Sequence, residues 1–223
     1  MPFARLLGLP LAALLLFAAW PADLALASSE PTPFSARYRL QVSGWPDVTI
    51  EHRLAQEGHY WLSEMQASIA MASGEERSRF MVDDTGVQSL HYSSGYSLLG
   101  IGDRYSLASD TLRELPDRQT ALFLLSQRAH GDQCAATCRL TYQDHRGDRE
   151  RLRFRVLPRQ HLSVPAGDFE ALTIEATNPD EPGRRLMLRF HPELPGLLLA
   201  ADYHRDGERR SRLTLTSLEH SSP

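Results

Sequence analysis

Hydrophobic and polar residues alternate along most of this chain. In Phe34–Ser43 every second residue is apolar, and the residues between them are polar. Successive side chains of a strand point to opposite faces, so this pattern predicts a strand with one buried face and one exposed face. Leu162–Ala176 contains two such runs around Pro165-Ala166-Gly167-Asp168, whose residue types favour a turn, and it therefore predicts a hairpin.

The same unit recurs between Phe34 and Leu218. Further strands are predicted at Val48–Gln56, His59–Met71, Arg77–Val82, Val87–Tyr92, Cys138–Gln143, Arg149–Leu157, Arg184–Phe190, Leu197–His204 and Arg209–Leu218. Short polar turns join these runs, and such turns connect antiparallel neighbours. The fold class is therefore predicted to be mainly β: a large curved antiparallel sheet or an incomplete β-barrel, with one packed α-helix.

The predicted helix spans Pro116–His130. Pro116 suits a first helical turn, and Asp117 complements the positive helix end. Leu122, Leu125 and Ala129 then fall near one face. We expect that face to pack against the apolar side of the sheet. Whether the helix fills that side completely is left open by the pattern.

Ser93–Ser109 interrupts the alternation and contains three glycines. It predicts either a long hairpin or loop that folds over the sheet, or a mobile aromatic rim of a ligand groove. Under the second interpretation the candidate ligand-binding residues are Tyr92, Tyr96, Leu98, Ile101 and Tyr105.

The first residues have the features of an export signal. Arg5 precedes an almost wholly apolar run, Leu6–Trp20, and Ala25-Leu26-Ala27 fits a small-residue cleavage site. A retained membrane anchor is the alternative, but Pro10 and Pro21 interrupt the run. We therefore predict a periplasmic protein without a membrane span after cleavage near Ala27. Its predicted divisions are a signal peptide (1–27), a linker (28–33), a single β-rich domain (34–218) and a tail (219–223).

The two cysteines, Cys134 and Cys138, are the only pair in the chain. Because an exported chain meets an oxidising compartment, they predict a structural disulfide. A redox-active pair is disfavoured because the spacing is C-x-x-x-C, and two thiols alone make a poor zinc site. The formal net charge of −4 also argues against a nucleic-acid partner.

Motifs that would indicate catalysis are weak or missing. Ser97 lies in a sequence that only loosely resembles a nucleophile elbow, because the spacing differs and no helix follows. The chain contains no H-E-x-x-H sequence, phosphate-binding glycine loop or dinucleotide fingerprint. We therefore predict no catalytic residues, no metal site and no cofactor.

Four segments resemble an exported bacterial family, the domain of unknown function 3108. These segments are PFSARYRLQVSG, LPDRQTALFLLSQ, LSVPAGDFEALTIEA and LPGLLLAADYHRDG. The resemblance covers roughly Phe34–Leu218 and implies an exported, mostly β envelope protein. The family supplies no catalytic residues to carry over, and the two cysteines are not part of its general pattern.

These observations favour a non-enzymatic envelope protein that holds an apolar or amphipathic ligand, such as a lipid or a lipoprotein segment, on a concave sheet. One alternative is a protein–protein interaction module with a filled core. A second is a hydrolase of an envelope polymer. A cavity larger than ~300 Å³ lined by Tyr92, Tyr96, Leu98 and Ile101 would favour the first.

Overall fold

The computed structural model describes residues 30–220 except Met71, Asp132 and Gln133. The predicted signal peptide, the first part of the linker and the last three residues of the tail lie outside the described residues. Within the described part, no helix is both long enough and apolar enough to cross a membrane.

Twelve strands form one antiparallel sheet. They are β1 (Phe34–Val42), β2 (Val48–Glu57), β3 (Tyr60–Ile69), β4 (Ala72–Asp83), β5 (Gly86–Leu98), β6 (Arg104–Leu107), β7 (Cys138–Gln143), β8 (Arg149–Val164), β9 (Gly167–Asn178), β10 (Glu181–Phe190), β11 (Leu198–Arg205) and β12 (Glu208–His220). Neighbours in the sheet follow the chain within each half, β1–β6 and β7–β12. The halves join where β1 pairs with β12, and β6 and β7 are the two edges of the open sheet.

The sheet curves around one helix, α1 (Arg118–Arg128). This helix contacts β4 and β5 near one edge of the sheet and β7 at the other edge. A flat sheet of this width could not touch one helix from both sides, so the strands must bend around it. The predicted architecture, a large curved antiparallel sheet with one packed helix, is confirmed.

Several element boundaries differ from the prediction; β4, for example, begins at Ala72 instead of Arg77. β5 continues past Tyr92 to Leu98 and returns as β6, so the 93–109 segment contains a hairpin that extends the sheet. β8 runs through Pro158 as one strand, with a register shift between Leu157 and Gln160 where two strands were predicted. The helix begins after Asp117 rather than at Pro116, because Asp117 is its N-cap residue.

The main core lies between α1 and the inner face of the sheet. Its largest fully buried apolar side chains include Tyr38, Phe80, Phe154, Ile174, Phe190, Leu197, Leu199 and Leu215. The predicted disulfide, Cys134–Cys138, is present. It joins the segment after α1 to the first residue of β7, so it ties the end of the helix to the sheet edge.

Antiparallel pairing divides the turns between two ends of the sheet. We call one the open end; it carries the β1–β2, β3–β4, β5–β6, β7–β8, β9–β10 and β11–β12 turns. The other, which we call the packed end, carries the remaining turns. α1 runs toward the packed end, where the backbone N–H of Gly196 donates to Ser126 Oγ at 2.6 Å. The ring of His130 also bonds the Pro192 carbonyl there, at 2.7 Å.

Candidate functional site

The inner face of the sheet stays uncovered at the open end. Strand register places small and apolar side chains of β2, β3, β4 and β5 side by side there, as in the row Ile50, Ala67, Gly74 and Tyr96. We call this surface the trough. It consists of Leu40, Val48, Ile50, Ala67, Ile69, Ala72, Gly74, Tyr96, Leu98 and Leu213, all partly or well exposed. The apolar inner face of the sheet, which a helix usually covers, is therefore open to solvent in the trough.

The trough deepens into a groove of about 320 Å³. Its apolar lining includes Ile50, Met65, Ala67 and Tyr96, and its polar lining includes Glu76, Glu75, Gln66, Arg118 and His145. Ligand pockets in proteins usually measure ~300–1,000 Å³, so this groove lies at the small end of that range.

A closed ion pair forms one wall of the groove. Arg118, the first residue of α1, donates from Nε and from a terminal nitrogen to Glu76, at 2.6 and 2.5 Å. The hydroxyl of Tyr92 donates to the same carboxylate at 2.8 Å. Glu76 therefore balances the charge of Arg118, and the wall presents no free cation to a ligand.

The protonation states of this wall are fixed. Burial alone would lower the pKa of Arg118, but its hydrogen bonds to Glu76 and the charge of that carboxylate raise it above its ordinary value. Burial, reinforced by the Glu76 charge, raises the pKa of Tyr92. Arg118 thus stays charged and Tyr92 stays neutral at physiological pH. Neither is suited to exchanging protons with a substrate.

Asp117 fixes where the helix begins and so where the trough ends. Its fully buried carboxylate accepts from the backbone N–H groups of Gln119 and Thr120, at 2.9 and 3.0 Å. It also accepts from the hydroxyls of Ser78, Ser89 and Thr120, each at 2.8 Å. Burial raises the pKa of Asp117, and the hydrogen bonds oppose that shift. This cap anchors α1 to the middle of β4 and β5.

Beyond Asp117, toward the packed end, the inner face is filled. A void of only about 10 Å³ remains among side chains that include His52, Met65, Leu122 and Phe123. His52 bonds Ser63 Oγ at 3.0 Å, and its ring meets that of Phe34 edge-on. Burial lowers the pKa of His52 to about 3, so the ring is neutral at physiological pH.

The five predicted ligand-binding residues do not form one lining. Tyr92 is buried beneath Glu76, whereas Tyr96 lines the groove. Leu98 and Ile101 lie on the exposed β5–β6 turn and bond each other through their backbones. Tyr105 packs edge-on against His145, with 5.0 Å between ring centroids.

Sequence reasoning missed the other groove residues and the helix anchor. Met65 and Ala67 lie in the predicted strand His59–Met71, but nothing in its pattern indicated that α1 would leave them uncovered. Ser78 and Ser89 carry no signal of their own. Both hydroxyls reach Asp117 because a bulge in β5, opposite Arg79 and Phe80, turns Ser89 toward the helix. The bulge follows from strand pairing and is not visible in the sequence.

A larger depression, of about 390 Å³, lies at the same end on the outer face. Its lining is mostly polar and includes Glu51, Gln66, Glu75 and Arg104. Because most of its lining side chains are polar, it resembles an ordinary solvated surface more than a ligand pocket. Among the described residues, no three His, Cys, Asp or Glu side chains form a group that could hold a metal ion.

Comparison with known proteins gives no family. No family model matches the chain, and no curated protein sequence matches it. The crystal structure of MucB is similar with a TM-score of 0.40 and 13% identity, over 86% of this chain and 54% of that one. MucB in the Pseudomonas aeruginosa MucA/MucB complex gives 0.44 and 12%, over 87% and 53%. This chain spans about half the length of those chains, and at TM-scores this low the similarity carries no argument about function.

Proposed function

We propose that this chain is an exported, non-enzymatic envelope protein that holds the apolar part of an amphipathic ligand in the trough. The observation that carries the proposal is that α1 covers only one end of an apolar inner face. Membership of the exported family that the sequence resembles is part of the same proposal, and so is a periplasmic location.

The lining of the groove limits the class of ligand that it could hold. Contiguous exposed apolar surface marks interaction sites, because leaving it in water is unfavourable. Glu76 neutralises Arg118, so the groove suits an apolar chain and offers no partner for a buried carboxylate. A polar head group would remain at the mouth, near the Tyr96 hydroxyl and the His145 ring. Acyl chains and lipid-modified segments have this combination of properties.

A module that binds another envelope protein is the second candidate. The same groove favours it, because an apolar side chain of a partner would occupy the space that an acyl chain would fill. The two candidates differ in what accompanies the protein after export: a lipid in the first, and no small molecule in the second.

The test fills the groove without touching the core. Ala67→Trp places an indole over the groove floor, whereas the matched control Ser68→Trp places one on the exposed outer face of the same strand. Each protein is exported from a Gram-negative host, recovered without detergent and examined by native mass spectrometry and by titration with the fluorescent probe N-phenyl-1-naphthylamine. We expect Ala67→Trp to lose the co-purified lipid and to bind the probe about tenfold more weakly.

The control and the wild-type protein should both keep the lipid and the probe. If all three proteins carry no lipid and bind the probe equally, the carrier proposal is wrong and the partner-binding module takes its place. Equal thermal unfolding midpoints for the two variants exclude misfolding as the cause of a difference.

A further inference from the structure

The large apolar residues with high exposure are clustered at the open end. Among the described residues they are Trp45 (60%), Tyr96 (51%), Leu98 (46%), Leu99 (71%) and Ile101 (81%). Trp45 lies on the β1–β2 turn, and the others lie on or beside the β5–β6 turn. Single exposed apolar residues are ordinary, but their confinement to one end of the molecule indicates a surface that something covers.

The β5–β6 turn holds a leucine where the backbone does not favour one. Leu99 has a φ of 55° and Gly100 a φ of 83°. Glycine, asparagine and aspartate are the residues that usually adopt this left-handed region. Leu99 is also exposed, so neither backbone preference nor core packing accounts for it. An apolar environment outside the chain would account for an exposed leucine at this position.

The distance between the β1–β2 turn and the β5–β6 turn indicates that the apolar environment outside the chain is a broad layer. The β1–β2 and β5–β6 turns lie four strands apart in the sheet, or ~19 Å along it. A pocket in a partner protein would accommodate one of them, whereas a planar layer accommodates both. Tryptophan suits such a boundary because its ring is apolar and its N–H is polar.

Cationic side chains flank the apolar turn. Arg104 and Arg146 form no ion pair with a described carboxylate, and Arg146 lies over the ring of Tyr105. Two of the nearby acids accept from other groups: Asp103 from the Tyr96 hydroxyl, and Asp144 from the backbone of Arg146 and Asp148. A third acid, Glu75, lies beside Arg104 across Gly95. Guanidinium groups bind phosphate oxygens well, so the two arginines suit lipid head groups.

We propose that the open end docks on the surface of a phospholipid bilayer. Trp45, Leu98, Leu99 and Ile101 insert at the interface, and Arg104 and Arg146 contact lipid phosphates. This inference rests on the proposed function and deepens it, because the trough then opens toward the bilayer. An acyl chain would enter the groove from the membrane without passing through water.

Vesicle flotation tests this docking. The exported, processed protein is mixed with vesicles of phosphatidylethanolamine and phosphatidylglycerol at roughly 3:1, and the bound fraction is measured. We expect the wild-type protein to float and the double variant Leu99→Asn/Ile101→Ser to partition about tenfold more weakly. Asparagine tolerates the left-handed backbone, so this variant keeps the turn. Brominated lipids should quench the fluorescence of Trp45 but not that of the partly buried Trp61.

Two controls separate this inference from the proposed function. Ala67→Trp should float like the wild-type protein although it binds the probe more weakly, and the double variant should bind the probe like the wild-type protein although it partitions more weakly. Docking is refuted if the wild-type protein stays unbound, or if the double variant floats equally well. A wild-type dimer that the double variant abolishes, without any flotation, would assign the surface to a second copy and also refute it.

Discussion

The two ends of the inner face have the same strands and the same alternation, yet one is filled and the other is open. The difference follows from length. α1 has 11 residues and so spans ~16 Å, whereas the 12 residues of β4 extend over ~40 Å. One short helix cannot cover strands more than twice as long. A void of about 10 Å³ remains at one end and a groove of about 320 Å³ at the other. A candidate site can thus arise from a mismatch in element lengths, without any specialised motif.

The sharpest test of this comparison removes one aromatic ring from each end. Phe123 is buried in α1 and its ring lies 5.1 Å from that of Phe80, whereas Tyr96 is half exposed. We expect Phe123→Ala to lower the free energy of unfolding by about 3–5 kcal/mol, because it leaves a cavity in a packed core. Tyr96→Ala should change it by no more than about 0.5 kcal/mol. Urea denaturation measures both, and equal losses would show that the two ends do not differ in packing.

The boundary between the ends depends on Asp117, and its removal should have the next largest effect. Asp117→Ala removes the helix cap and leaves the buried hydroxyls of Ser78 and Ser89 without their acceptor. We expect a loss of about 2–4 kcal/mol in unfolding free energy. Asp110 precedes the 3₁₀ turn Thr111–Arg113 and makes no side-chain cap bond, so Asp110→Ala is the matched control. A loss as large in the control would contradict this role of Asp117.

Acid should weaken the packed end through His52. Burial holds the pKa of His52 at about 3 in the folded protein, against an ordinary value of 6.5 when unfolded. Unfolding therefore takes up a proton between these values, and stability that is complete above pH 6.5 is lost as the pH falls toward 3. The expected contribution is about 1.4 kcal/mol per pH unit within that window.

The variant His52→Gln isolates this contribution. Its unfolding free energy should fall less steeply between pH 6 and pH 4 than that of the wild-type protein, by about the slope stated above. Parallel curves for His52→Gln and the wild-type protein would mean that the imidazole is accessible to protons in the folded state.

Much of the fold could be predicted from the sequence, because alternation reports directly which strand face is buried. The 93–98 stretch misled the prediction, since Ser93, Ser94 and Gly95 hide the pattern although β5 continues through them. The predicted strand Arg149–Leu157 stops before Pro158, but β8 continues because its register shift accommodates the missing N–H of Pro158. These errors concern boundaries, where local composition competes with tertiary pairing.

The candidate site was less accessible to sequence reasoning. Tyr96 could be singled out because an aromatic residue among glycines is unusual. Tyr92 lies beside the same glycine-containing segment, but it is buried in the protein and its hydroxyl donates to Glu76. The sequence did not indicate this hydrogen bond. The extent of the groove depends on where a helix starts over a sheet. That position is set by Asp117, Ser78 and Ser89, which lie far apart in the chain.

The pairing of β1 with β12 has a consequence for a chain that is synthesised progressively from its N-terminus. β1 appears early, yet its partner on one side is the last strand; Thr216 Oγ1, for example, donates to the Arg37 carbonyl, 179 residues away. Until β12 arrives, the middle of the sheet has two bare edges, β1 and β11. Bare edges template pairing with other chains, and distant pairings form slowly. We therefore expect these two edges to stay open to pairing with other chains until the final strand has been made.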